Sequence, residues 1–408
     1  MRQRVLCSAA VLAFAVVLVT LGSGSVIGQT QPAPAQTTAT ASGPTPMTPW
    51  GEPDLQGIWA IVTQIPLQRP AEYAGREFFT DEEIAQIDQQ RAALPRRDAR
   101  PERGSEADVG GAYNAVFNNY YPAGRRTSLI VDPPDGQIPP LAPAVRERRR
   151  EDQAYRDALN QATEACRQQE EACGGATYGP PSLRRAEVPP NYQVSAINRA
   201  DHPEDTGLQT RCLIVGLPDL GNGNLNFGGS FRRVVQSPGV ISIYLDFGQG
   251  QGFNRVIPVT TRPHLPANVR QWMGDSLGRW EGNTLVVDVT NFTAKADYRG
   301  SRENLHLIER YTRTGPDTID YEVTLEDPTT WTRPWTMRQE LVRQPDEANR
   351  IYYEPRCHEG NYGLAGILQG TRAADQAFAE GRGPDPATRC IGGCQRTGNQ
   401  QFGRDPLR

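Results

Sequence analysis

A chain of 408 residues with 43 Lys+Arg against 47 Asp+Glu has a formal charge of −4, leaving no net excess to attract a nucleic-acid backbone. Only one basic residue is a lysine, Lys295; this removes Schiff-base and phosphate-loop mechanisms, which would each rest on that single side chain. A hydrophobic fraction of 37% with 40 Gly and 34 Pro predicts long loops, a modest core and one or two domains.

Arg2 and Arg4 precede an apolar run from Val5 to Leu21, and small residues lead to a cleavage point after Gly28. Residues 1–28 therefore read as a secretory signal peptide, with an uncleaved anchor as the alternative. Cys7 precedes most of the apolar run, so it is not a lipidated cysteine at the cleavage point. Residues 29–49 are Pro, Thr, Ala, Gln and Ser-rich, a disordered linker without core-forming residues. The expected address is periplasmic or secreted, with no stable membrane span once the leader is removed. Six cysteines remain in the mature chain, an even number that points to disulfides in an exported protein. Proximity pairs Cys166 with Cys173 and Cys390 with Cys394, leaving Cys212 and Cys357 as the long-range pair. Fifteen pairings are formally open to six cysteines.

The mature chain opens with a strand signal from Asp54 to Val62, containing a Gly57-x-Trp59 of the kind that also opens lipocalin-type barrels. Thr80 with Glu83 three residues on forms a capping box, starting a helix that Pro95 ends. Arg126–Asp132 reads as a strand and Pro133–Gly136 as a turn. From Pro143 to about Gln169 a helix rich in Arg, Glu, Gln and Asp can bury only a thin stripe, with Val145, Tyr155 and Leu159 as its apolar positions.

From about Arg211 the pattern becomes strands: Phe231–Gln236, Val240–Phe247, Asn254–Val259, Thr284–Asn291, Leu305–Thr312, Thr318–Glu326, Trp335–Val342 and Ile351–Glu354. Leu285, Val287 and Val289 share one face of their segment, and Tyr321, Val323 and Leu325 share one face of theirs. Such alternation predicts antiparallel sheet with one buried face. The fold class is mainly β: an antiparallel meander forming a lipocalin-like barrel or a sandwich, with peripheral helices. The organisation follows as an N-terminal part at 50–205 packing on the barrel, a β-rich core at 206–370 and a loop-rich tail at 371–408.

No nucleophile elbow, zinc-protease helix, EF-hand or phosphate loop occurs. Three of the four histidines and four of the six tryptophans fall between Arg262 and Tyr362. Four clusters there offer chemistry. Arg262-Pro-His264-Leu-Pro266 holds an imidazole on a stiff, extended loop. Glu303, His306 and Arg310 lie together, with His306 and Arg310 on one strand face. Glu326-Asp327-Pro328 precedes Trp331 and Trp335, and Cys357-His358-Glu359-Gly-Asn361-Tyr362 gathers an imidazole, a carboxylate, an amide and a phenol. Asp275-Ser276 reads as a turn.

The strings running from Arg126 to Gly136, Arg262 to Pro266, Trp280 to Asp288, Glu303 to Leu307 and Cys357 to Gly363 resemble a family of exported bacterial proteins of no assigned activity. The match covers Asp54 to Trp59, Arg126 to Gly136 and most of Arg211 to Gly370. The Arg/Glu/Gln helix with Cys166 and Cys173, and the tail with Cys390 and Cys394, look like local additions. The resemblance implies one exported domain and carries over no catalytic residue.

The leading expectation is an exported barrel or sandwich whose mouth holds a sugar-like or aromatic small molecule and performs metal-independent acid/base chemistry, as a lyase, isomerase or hydrolase would. His358 or His306 would be the catalytic acid/base, oriented by Glu359 or Glu303. Arg262 and Arg310 would hold an anionic group, Trp331 and Trp335 would form the platform, and His264, Asn361 and Tyr362 would complete the binding site. No cofactor is implied. His264, His306 and His358 with Glu359 or Glu303 would make a metal site only if they converge, since no ligand pair has regular spacing. The alternatives are a non-catalytic lipocalin-like carrier and a surface interaction module using the Arg/Glu helix. A carrier needs a largely apolar interior, and an enzyme needs His and carboxylate within hydrogen-bond reach.

Overall fold

In the computed structural model, residues 45–92, 121–192, 194–208, 210–213, 217–218, 231–248, 251–344, 358–359 and 361–390 are described. The expected strand Ile351–Glu354, the leader and residues 29–44 of the linker lie outside them. Ten strands form one sheet: β1 (Gly57–Ala60), β2 (Ile130–Asp132), β3 (Phe231–Ser237), β4 (Val240–Gly248), β5 (Gln251–Pro258), β6 (Asp275–Glu281), β7 (Thr284–Thr290), β8 (His306–Gly315), β9 (Thr318–Glu326) and β10 (Trp335–Arg343). Their order is β5-β4-β3-β1-β10-β9-β8-β7-β6, with β2 added beside β10.

Alternation builds this sheet. In β9, Ile319, Tyr321, Val323 and Leu325 are buried while the residues between them are partly exposed, and β8 and β10 repeat the pattern. Every neighbouring pair in the nine-strand path is antiparallel. Nine is odd, so the two end strands run the same way, and the sheet curls until they meet through a parallel bridge between Val259 and Gly278. The result is a nearly closed antiparallel barrel. Parallel neighbours cannot be joined by a hairpin and need a longer crossover. Here the segment between Pro258 and Asp275 serves as that crossover.

The inner faces fill one hydrophobic core containing Trp59, Ile241, Leu285, Val287, Tyr321, Val323, Trp335 and Leu341. It also contains charge. Arg255 on β5 pairs with Glu309 on β8 at 2.5 Å and donates to Ser276 Oγ on β6 at 3.0 Å. Tyr321 and Tyr311 donate to Glu309 Oε1 at 2.8 and 3.2 Å. Every oxygen of the carboxylate therefore has a donor, which a buried charge requires. Burial works against the charge on Arg255, but the Glu309 carboxylate outweighs it and holds the guanidinium protonated.

Helices sit outside the sheet. In α1 (Asp81–Ala92), Thr80 Oγ accepts from Glu83 N while Glu83 accepts from Thr80 N, the capping box read from the sequence. The long charged helix breaks into α2 (Pro143–Asn160) and α3 (Glu164–Gln168), because Thr163 caps a new start by accepting from Cys166 N. Val145, Tyr155 and Leu159 are its buried stripe, as expected. Val145 meets the turn at Gly300, where φ is +102° and a Cβ would lie 2.7 Å from Val145, so glycine is required there. A last helix, α4 (Tyr362–Ala379), runs through residue 370, the boundary that composition gives to the tail. Residues 45–49 already contact the barrel, with Met47 bridged to Pro53 and Asn283 donating to Thr45 Oγ.

Cys166 and Cys173 form the expected disulfide. Cys212 and Cys390 are also disulfide-bonded. Cys357 and Cys394, expected as their partners, lie outside the described residues. Among the described residues no helix is long and apolar enough to cross a membrane.

Candidate functional site

Four strands and the crossover bring the polar residues together on the outer wall of the barrel. Asp275 begins β6, Asp288 lies in β7, His306 begins β8 and Glu326 ends β9. Asp288, His306 and Glu326 alternate with the core residues Leu285, Val287, Leu307 and Leu325, and Asp275 pairs with Thr290 on the Asp288 side of β7, so all four face outward. Register then sets their spacing: Asp288 opposes Ile308, making His306 its diagonal neighbour, and His306 directly opposes Glu326. Diagonal neighbours on one sheet face are within reach of long side chains.

His264 arrives from the crossover. Its Nδ1 bonds Asp275 at 2.9 Å and its Nε2 bonds Asp288 Oδ1 at 2.9 Å. His306 Nε2 bonds the same Asp288 oxygen at 3.1 Å, and its Nδ1 bonds Glu326 at 3.0 Å. Arg262 closes the other end, pairing with Asp275 at 3.0 Å. The outcome is an unbroken ladder, Arg262–Asp275–His264–Asp288–His306–Glu326, with both imidazoles about a quarter to a third exposed.

The crossover is fixed beside the ladder. Asn291, at a left-handed φ of +61°, donates its side-chain amide to the carbonyls of Leu265, Pro266 and Val269. Leu265 N donates to Asp275 at 3.0 Å, and Arg270 donates to the Glu303 carbonyl.

Electrostatics follow from these contacts. The hydrogen bond with Asp288 raises His306 above the usual imidazole value against the pull of burial, and the Glu326 charge adds to it. Asp288 is lowered, chiefly by His306 against burial and secondarily by His264. Burial pushes Asp275 up, but Arg262, the Leu265 amide and His264 together bring it below its ordinary value.

The structure unites Arg262, His264 and His306 and separates the other expected site residues from them. Trp331 and Trp335 are not a mouth platform: both are fully buried, packed edge to face with centroids 5.4 Å apart, and Trp335 stacks on Tyr298. Residues 140–142 cover Trp331 by pairing with 330–332, which the intervening loop gave no reason to expect. Arg310 holds Glu281 at 3.0 Å in a cross-strand ion pair on the wet face rather than a ligand. Glu303 is exposed, with its backbone carbonyl rather than its carboxylate in use, so the expected Glu303–His306 pair does not form.

Asn361 caps α4, accepting from Leu364 N and donating to Thr210 O, and Tyr362 is 82% exposed. His358 and Glu359 are exposed, and neither side chain hydrogen-bonds to a described residue. Their cluster takes no part in the ladder, because the chain carries it to the start of α4. Three carboxylates replace Glu303 and Glu359 as imidazole partners: Asp275, Asp288 and Glu326. Of these, only Glu326 stood out beforehand. Alternation in β7 places Asp288 outward, but nothing local says that a crossover histidine will cover it.

Among the described residues no group of three or more His, Cys, Asp or Glu is placed to hold a metal ion. His264 and His306 both close on one Asp288 oxygen, and His358 does not join them.

Inside the barrel a cavity of ≈ 10 Å³ is walled by Trp59, Val234, Ile243, Leu285 and other apolar side chains, together with Arg232 and Tyr311. That is the space of about one water molecule.

No protein-family model matches the chain, and no curated protein matches it. Several solved structures show a likeness to part of it, among them a pair from one organism. One is a secretory abundant heat soluble (SAHS) protein from Ramazzottius varieornatus, at 10% identity over 31% of this chain and 79% of that chain, with a TM-score of 0.21. The other is secretory abundant heat soluble protein 4 from the same organism, at 13% identity over 29% and 74%, with a TM-score of 0.20.

Proposed function

We propose that this protein is an exported, non-catalytic carrier whose barrel lumen takes up a small, mainly apolar organic ligand. The observation that carries this reading is the composition of the lumenal wall. Around the cavity eight side chains are apolar, and Arg232 and Tyr311 complete the wall. Export is supported by the Cys166–Cys173 disulfide, a bond that persists in oxidising compartments.

The site chemistry favours binding over acid/base catalysis. All four ring nitrogens of His264 and His306 face carboxylates, so neither ring presents a free nitrogen to a substrate. A general base needs its nitrogen within reach of the proton it takes. The closed lumen is small, so a ligand enters only as the wall gives way. The β5–β6 seam is the place for that, being joined by one backbone bridge and the Arg255–Ser276 bond rather than by a full ladder.

Trp59 lines the cavity and is fully buried, which makes it the reporter. Titration of the full exported chain with Nile red should quench Trp59 emission saturably, and Trp59→Phe should abolish that component. Organic extraction of protein recovered from the exporting cells should yield a stoichiometric small molecule by mass spectrometry. The absence of both a saturable quench and a co-purifying molecule would overturn the carrier reading.

A further inference from the structure

We infer that the crossover between β5 and β6 is a proton-dependent strap across the barrel seam, fastened while each of the four ring-nitrogen contacts in the ladder has a proton to donate and loosened as pH rises. Its consequence for ligand entry rests on the carrier reading; the loosening itself does not.

The seam is where the barrel's topology is weakest. β5 and β6 run parallel and share one bridge, Val259 with Gly278, in which Thr260 N donates to Gly278 O at 3.0 Å. The crossover springs from that bridge. A few residues on, it lays Arg262 and His264 against the strands beyond the seam, β6 and β7. Whatever holds His264 down therefore also holds the root of the crossover beside the seam.

Proton counting shows what holds it. The ladder makes four contacts from ring nitrogens to carboxylate oxygens, and each needs an N–H to donate. Two neutral imidazoles have only two N–H groups between them; two imidazolium rings have four. If either ring loses a proton, one nitrogen lone pair is left facing a carboxylate oxygen about 3 Å away, which is repulsive. The weakest link is Asp288 Oδ1, because it alone receives both rings.

The charged groups packed around the two rings are Arg262 from the crossover, Asp275 from β6, Asp288 from β7 and Glu326 from β9. With both rings protonated, three positive charges meet three negative ones; without those protons the cluster is left strongly acidic. The upward displacement of His306 by Asp288 and Glu326 moves its release to the alkaline side of the ordinary imidazole value. The other fasteners need no imidazole proton. Arg262 and Leu265 N stay on Asp275, and Asn291 keeps residues 265–269 in place. The part set free is therefore the stretch from Thr260 to His264.

Hydrogen exchange on the free full-length protein between pH 6 and 9, corrected for the intrinsic pH dependence of exchange, tests this. Protection of the Thr260 amide should fall by about tenfold or more with rising pH, the scale of one lost charge-assisted hydrogen bond, while the Leu265 amide keeps its protection. Amides in the centre of β7 should stay protected. His306→Gln should show low crossover protection already at pH 6. Should that variant not fold, Glu326→Gln, altered at the exposed end of the ladder, should move the loss of protection to lower pH. Flat wild-type protection across the range overturns the inference, as does an unchanged midpoint in a folded variant. No ligand is present, so failure of the lumen to bind Nile red bears on the carrier reading alone.

Discussion

Glu309 and Asp327 are both buried carboxylates, yet their surroundings solve the cost of burial in different ways. Glu309 is met by a guanidinium and two phenols inside the barrel, and burial beside its charge drives the Tyr311 and Tyr321 hydroxyls far above their ordinary range. Among the described residues no cation pairs with Asp327. It accepts from Ser301 Oγ at 2.6 Å, Thr330 Oγ1 at 2.7 Å and both the amide and hydroxyl of Thr329. Burial pushes Asp327 up, but these donors outweigh it and leave the group below its usual value. A carboxyl lowered in the folded state contributes stability above its unfolded pKa of about 3.9, and that contribution is lost as pH falls through the lower folded value. Asp327→Asn should therefore cost about 1–3 kcal/mol near neutral pH. Urea titrations across pH should show the gap between variant and wild type closing in acid; a gap constant down to pH 2 would contradict this assignment. From sequence, Asp327 stood out only as one of two carboxylates at a strand end, because its donors come from a turn 26 residues earlier as well as from its own.

At the scale of elements, most of the strands and the buried stripe of α2 follow from periodicity, since an alternating or helical pattern is a local property. β6 does not. Its sequence Asp275-Ser-Leu-Gly-Arg-Trp-Glu281 has a glycine in the middle and follows Gly274, so it reads as turn material, yet its first four residues are buried. Covering by the crossover on one side and by the core on the other makes it a strand. The break between α2 and α3 is likewise not legible in the run from Pro143 to about Gln169, where Thr163 starts α3 by accepting from Cys166 N. Replacing both cysteines, Cys166→Ala with Cys173→Ala, should lower stability by about 2 kcal/mol, the loop-closure value for so short a ring. Guanidinium unfolding would check this, and free-thiol counting on the unfolded wild type should detect no thiol from Cys166, Cys173, Cys212 or Cys390.

Over the whole molecule, the odd number of strands in the closed nine-strand path has the largest consequence. It forces a parallel closing pair, the parallel pair forces a crossover, and the crossover brings His264 onto Asp288. Gly278 sits at that closure, where a Cβ would lie 3.1 Å from Ile257 and 3.4 Å from Val259 across the seam. Gly278→Val should therefore prise the seam apart at a cost of about 1–3 kcal/mol, as overpacking does. Increased binding of an apolar dye together with a lower unfolding midpoint would bear this out; an unchanged midpoint would show that the seam is slack enough to take the methyls.

By itself, the sequence determined the mainly β class, the inward sets of β7 and β9, the Thr80 capping box and the nearest cysteine pair, because each depends on residues a few positions apart. It also marked Arg262, His264 and His306 as polar residues worth locating. Tertiary structure alone decided that Trp331 and Trp335 are core, that His358, Glu359, Asn361 and Tyr362 stand apart, and that three carboxylates from β6, β7 and β9 fasten two histidines on the outer wall. Those outcomes depend on strand register and on which end strands meet, and both are set by the closure of the whole sheet rather than by any local run of residues.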